Sequence, residues 1–197
     1  MLTTLDRPLS DTAQRDDPVR AWLSLPRRIY LDTSTLQKLY DFGGKIFEGE
    51  PFEPVGRAAR VQGLADEIAA LRMIFMVNER AMFEFVVTEA SLREVVNRAH
   101  PGYTQWVYDV LDTWLIQSES EQPPTPGTTF GDRRFGMISV KDRHLLQEAL
   151  DCRCDAFMTM ERRLPTAAAF IERETGLRVM RPTTYCDLLS RFARFYY

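Results

Sequence analysis

Four acidic residues stand at places from which a folded chain could gather them. Asp32 follows the apolar run IYL, Glu94 lies in EASLREVV, Asp142 in VKDRHLLQEAL and Glu161 in FMTMERRL. Carboxylates brought together repel one another and raise each other's pKa unless a cation sits among them. Hard divalent ions with oxygen ligands, Mg²⁺ or Mn²⁺, suit such a set. Ions held in this way activate water and stabilise the charge that develops at phosphorus in phosphodiester hydrolysis. Each acid also has a plainer explanation. Asp32 could cap the helix that follows it, Asp142 could be an acid favoured by a helix dipole, and Glu94 and Glu161 could be solvated helix residues. Asp32 is the hardest to explain away, because a carboxylate directly follows three apolar residues. Lys141 is the only lysine beside any of the four, so simple ion pairing does not account for the set.

The elements that would position these acids can be read from the pattern of apolar residues. RRIYLD is a short buried strand, and TSTLQKLYDF a helix stopped by Gly43 and Gly44. Residues 43–62, rich in Gly and Pro, read as an inserted loop. A helical stripe follows from Leu64 through Ile68, Leu71 and Phe75 towards Asn78. FEFVV (83–87) reads as a second strand, with Thr88 placed to cap the helix EASLREVVNRA. A further helix, YTQWVYDVLDTWLIQ, carries aromatics whose spacing suits packing better than base stacking. Residues 118–136 read as a long loop, VKDRHLLQEALDCR as a helix and CDAFMTM as a third strand. TAAAFIERETG is a helix ended by Gly176, LRVM a fourth strand and TTYCDLLSRFARFYY a closing helix. Strands alternating with helices predict an α/β fold, with a mostly parallel sheet of four to five strands and helices on both faces. Sites in such sheets lie beyond the carboxyl ends of the strands, where Asp32 is placed.

Composition sets the frame. A chain of 197 residues, 45% hydrophobic and 27% charged, is long enough for one domain with a full core. The reading is a loose N-terminal arm over residues 1–26 and a single domain over 27–197. No apolar run reaches the length of a membrane span, and the polar N-terminus is not a secretory signal. Cys152, Cys154 and Cys186 form no disulfide framework or zinc pattern, so reduced thiols and a cytoplasmic setting are expected. His100 and His144 leave little for histidine-based catalysis, and His144 reads as a helix-surface residue. A net charge of −3 argues against a broadly basic nucleic-acid binder, although setting aside four metal-bound acids would turn the balance slightly positive.

With these residues placed, the chain resembles the PIN-domain ribonucleases, the family that includes VapC-type toxins. The resemblance is carried in order by IYLDTSTL, by TEASLRE with Thr88 six residues before Glu94, by DRHLLQEA, by CDAFMTMERRL and by LRVMRPTTYCDLL. It spans roughly residues 28–190. It departs from the family at Ser34, where asparagine is common, and at Glu161, where aspartate is usual. The resemblance implies a PIN-like three-layer sandwich and a metal-dependent endoribonuclease that leaves 5′-phosphate and 3′-hydroxyl ends. It implies that Asp32, Glu94, Asp142 and Glu161 hold one or two Mg²⁺ or Mn²⁺ ions, with Ser34 and Thr159 orienting the acids. Arg133, Arg134, Arg143, Arg162 and Arg163 are then the candidate phosphate contacts, RNA the substrate, and a homodimer or an antitoxin-like inhibitor the possible protein partners. The rival reading is a catalytically degenerate PIN-like module that binds RNA or protein. Aspartate-dependent phosphotransferases also place an aspartate after the first strand, but Ser34 stands where one class of them needs a second acid.

Overall fold

The computed structural model describes residues 18–81, 83–96 and 129–192. Four strands form one sheet: β1 (Arg28–Leu31), β2 (Glu84–Val86), β3 (Ala156–Met158) and β4 (Arg178–Met180). Every pairing is parallel, and the order across the sheet is β2-β1-β3-β4. Parallel neighbours need crossovers, and helices supply them. After α1 (Pro18–Leu23) and β1 come α2 (Thr33–Asp41), α3 (Gly43–Ile46) and α4 (Leu64–Ala81), before β2. Then follow α5 (Glu89–Val96), α6 (Val140–Asp151), α7 (Ala168–Thr175) and α8 (Pro182–Ser190).

Successive strand residues point to opposite faces, and both faces are buried. Ile29, Leu31, Phe85, Ala156 and Met158 pack with α2, α4 and α8 through Leu36, Leu39, Ile68, Leu71, Ile74 and Leu189. Tyr30, Val86, Phe157 and Val179 face the other way, onto Leu145, Leu146 and Ala149 of α6 and Ile171 of α7. Below the sheet, the Asp155 carboxylate accepts the backbone N–H groups of Arg27 and Arg28 at 2.9 and 3.0 Å. It ties the start of β1 to the start of β3.

The structure alters several boundaries drawn from the sequence. Residues 18–26, assigned to a loose arm, contain α1, and Leu25 and Pro26 are buried. Trp22 packs edge-on against Phe192, and the Tyr185 hydroxyl donates to the Pro26 carbonyl at 2.6 Å. Gly43 and Gly44 do not end in open loop but begin α3, whose Ile46 is buried. Within the segment read as a loop over 118–136, residues 129–131 and 133–135 form 3₁₀ turns that bury Phe130 and Phe135. Two phenylalanines need a hydrophobic seat, and the Pro and Gly around them masked that signal. In α4 the core stripe runs through Ile74 and Val77 rather than Phe75, which is only partly buried. Asn78 instead accepts the backbone N–H of Phe83 at 2.6 Å, turning the chain into β2. The helix expected over YTQWVYDVLDTWLIQ lies outside the described residues. The three cysteines are free thiols, and burial pushes Cys154 up to about 12. Among the described residues, no helix is long and apolar enough to cross a membrane.

Candidate metal centre

The chain leaves β1 towards the face covered by α2 and leaves β3 towards the face covered by α7. Neighbouring parallel strands whose connections diverge in this way open a crevice at their carboxyl ends. The residues just past β1 and β3 meet there. Asp32 is 5% exposed, and its backbone N–H donates to the Met158 carbonyl at 3.2 Å, prolonging the β1–β3 pairing by one step.

Asp32 is both a cap and a member of the site. Its Oδ1 accepts the Thr35 N–H at 2.8 Å, closing the first turn of α2. Its Oδ2 accepts the Thr159 hydroxyl at 2.6 Å, and the Ser34 hydroxyl reaches both oxygens at 2.9 and 3.0 Å. Ser34 in turn accepts the Met160 N–H at 2.9 Å, and Thr159 accepts the Glu161 N–H at 3.0 Å. The loop carrying Glu161 is therefore fastened to the two hydroxyls that hold Asp32. Burial pushes the Asp32 carboxyl up to about 6, against the opposing pull of Thr159, Thr35 and Ser34. Among the described residues its carboxylate is held by two hydroxyls and one backbone amide, with no ion pair.

All four acids line one pocket, with Thr33, Ser34, Gln37, Lys141, Leu145 and Phe157. Glu94 arrives from α5. Thr88, just before that helix, accepts the Ser91 N–H at 3.4 Å, and the Ser91 hydroxyl accepts the Thr88 N–H at 3.1 Å. Glu94 Oε2 accepts the Thr33 hydroxyl at 2.9 Å, while Oε1 pairs with the ammonium of Lys141. Asp142 arrives from α6, which begins two residues earlier than it does. Ser139 caps that helix by accepting the Asp142 N–H at 3.1 Å, and its hydroxyl donates to Asp142 Oδ2 at 2.7 Å. Glu161 is exposed at the rim.

A second polar group, not foreseen from the sequence, fixes the helices that bring Glu94 and Asp142. Glu148 on α6 accepts the Tyr30 hydroxyl of β1 at 2.9 Å and the Thr88 hydroxyl at the entry to α5. Burial first, and Glu148 second, hold Tyr30 well above the usual phenol range. His144 is exposed on α6 and lies 3.6 Å from Glu148, as its helix-surface reading expected. The signal for Glu148 was faint, since a glutamate seven residues after Lys141 looks like any solvated helix residue.

The donor chemistry of the pocket fits a hard divalent cation, because carboxylate, hydroxyl and amide oxygens dominate it and an ammonium is already drawn onto Glu94. The acidic side chains do not converge on one point. Among the described residues no three carboxylate, His or Cys groups converge closely enough to hold an ion. Asp32 is turned to its hydroxyls, Glu94 to Lys141 and Thr33, and Asp142 to Ser139. One expectation is corrected here. Ion pairing does explain part of the acidic set, because Lys141 reaches across from α6 to Glu94. None of the five arginines proposed for phosphate contact lines the pocket. Arg134 pairs with Glu174 at 2.7 Å, Arg143 donates to the Phe130 carbonyl at 3.3 Å, and Arg162 donates to the Gln62 carbonyl. Arg133 and Arg163 are exposed.

The fold and pocket define an α/β protein with a parallel sheet and an acidic crevice at its carboxyl edge. Comparison with family models, curated proteins and solved structures gives no match to this chain.

Proposed function

We propose that this chain is a PIN-like endoribonuclease, a three-layer α/β/α domain that hydrolyses RNA phosphodiester bonds with one or two Mg²⁺ or Mn²⁺ ions. The observation that carries the reading is the meeting of Asp32, Glu94, Asp142 and Glu161 in one pocket, from four separate parts of the chain. Asp32, the most buried of them, would be the central ligand, with Glu94 and Asp142 beside it and Glu161 at the rim. A bound ion supplies an activated water and neutralises the charge developing at phosphorus. Ser34 and Thr159 hold Asp32 in one orientation, the role that outer hydrogen-bond partners play around ligating carboxylates. Thr33 does the same for Glu94, and Ser139 for Asp142. Phe157 and Leu145 add apolar surface to the pocket lining.

The test needs no prior choice of RNA. Calorimetric titration of Mn²⁺ into the wild type should show binding that Asp32→Asn loses. The wild type with Mn²⁺ should then cut a fluorescent single-stranded RNA, and Asp32→Asn should leave it at background. A second reading, a degenerate PIN-like module that binds RNA or protein without cutting, is favoured by the Lys141–Glu94 pair and the unclosed acids. Absence of Mn²⁺ binding in the wild type, with and without RNA, would replace the nuclease by that module.

A further inference from the structure

Among the described residues lining the pocket, Lys141 alone is basic. It stands in the first turn of α6, next to Asp142, and its ammonium contacts a carboxylate on a different helix, Glu94 of α5. The two ends of the pair differ in exposure: the Glu94 side chain is 18% exposed and that of Lys141 46%. The acid is thus part of the pocket wall, while the base reaches in from the solvent side. The other charged groups facing the pocket, Asp32, Asp142 and Glu161, are all acids.

Lysine is uncommon in this chain. Of 25 basic residues only Lys38, Lys45 and Lys141 are lysines, so the choice at 141 is not the chain's default. Lys38 and Lys45 pair with Asp41 and Glu50, neither of which lines the pocket. An arginine at 141 would clamp a carboxylate through a planar fork, whereas lysine offers a single mobile charge on a flexible stem. A mobile ammonium holds an acid that must later be given up to another cation. The wall of the pocket keeps Thr33 on the other oxygen of Glu94, so the carboxylate stays oriented when the ammonium leaves.

We propose that Lys141 is the resident counter-cation of the pocket, competing with a divalent ion for Glu94 and so setting the concentration at which metal loads. This rests on the metal-site reading above. Without metal, the ammonium offsets one of four clustered acids. With Thr33 on Oε2, a metal ion drawing on Glu94 displaces the ammonium from Oε1, and binding is weakened by the pair that must be broken.

The experiment is Mn²⁺ titration by calorimetry into metal-free wild type, Lys141→Met and Lys141→Arg, with thermal unfolding of each with and without Mn²⁺. Lys141→Met should bind Mn²⁺ about tenfold or more tightly than the wild type, the scale on which one neighbouring charge shifts a carboxylate equilibrium. Its metal-free form should melt lower, and Mn²⁺ should raise its Tm by more than it raises the wild type's. Lys141→Arg should bind no more tightly than the wild type. Lys141→Gln, run in parallel, carries the same expectation as the methionine variant should that one fold poorly. A merely structural ion pair would lower the metal-free Tm and leave Mn²⁺ affinity unchanged. Equal or weaker Mn²⁺ binding by both neutral variants, with the wild type binding, overturns the competition and leaves the metal site standing. No Mn²⁺ binding by any of the proteins overturns both.

Discussion

At Asp32 one carboxylate closes the first turn of α2 and also faces the crevice between β1 and β3, buried and held by hydroxyls rather than by a base. Its pKa, raised from 3.8 to about 6, ties this arrangement to stability. The folded state keeps the proton that the unfolded chain releases above pH 3.8. The folded state therefore loses ground as pH rises from about 4 to 6. The cost, about 3 kcal/mol, is absent below that range and fully present above it. Asp32→Asn has no such proton to lose. Urea unfolding of the metal-free proteins at pH 4 and pH 7.5 should show the variant gaining roughly 2–3 kcal/mol on the wild type between the two. A stability difference that stays constant across that range would mean that Asp32 is solvated after all. The run IYLD marked Asp32 at a strand end, and the family resemblance set Ser34 and Thr159 beside it, where both hydroxyls hydrogen-bond to its carboxylate. The sequence could not disclose which partner Lys141 takes, since Lys141 and Glu94 are far apart in sequence and meet only through the packing of α5 and α6. Nearness along the chain likewise does not fix where a side chain projects, and the five arginines lie outside the pocket lining.

Among the elements, α4 and α8 are joined by a clamp that no short motif announces. Glu67, 2% exposed on α4, accepts the Thr183 N–H at 3.0 Å and its hydroxyl at 2.7 Å, at the start of α8. The guanidinium of Arg181, just before that helix, lies 2.9 Å from the same carboxylate. Glu67 thus satisfies one orphan amide at a helix start and neutralises a neighbouring cation. Glu67→Ala strands that cation and should cost about 3 kcal/mol in urea unfolding, near the lower end for a broken buried pair because Arg181 is partly exposed. A cost under about 1 kcal/mol would show the clamp to be solvated in solution. The alternation of strands and helices was legible because each element has its own apolar period. What stayed hidden were short pieces stabilised by tertiary contacts, α1, α3 and the turns burying Phe130 and Phe135, which are too brief to carry a period.

For the whole molecule, the strand order has a consequence in time. β1 sits in the middle of the sheet, between β2 and β3, and its partner in the site, Thr159, lies 127 residues further along the chain than Asp32. A chain cut after Arg153 lacks β3 and β4, leaving β1 with one neighbour and Asp32 without its shortest hydrogen bond. Such a fragment should unfold without a cooperative transition in urea, and a sharp transition would show that β1, β2 and the helices fold by themselves. During synthesis the same logic runs forwards. Asp32 leaves the ribosome early and waits, solvated and with ordinary acidity, until β3 has emerged to enclose it. If the chain cuts RNA as proposed, an unfinished copy has no assembled pocket to turn on the RNA-built machine that is making it.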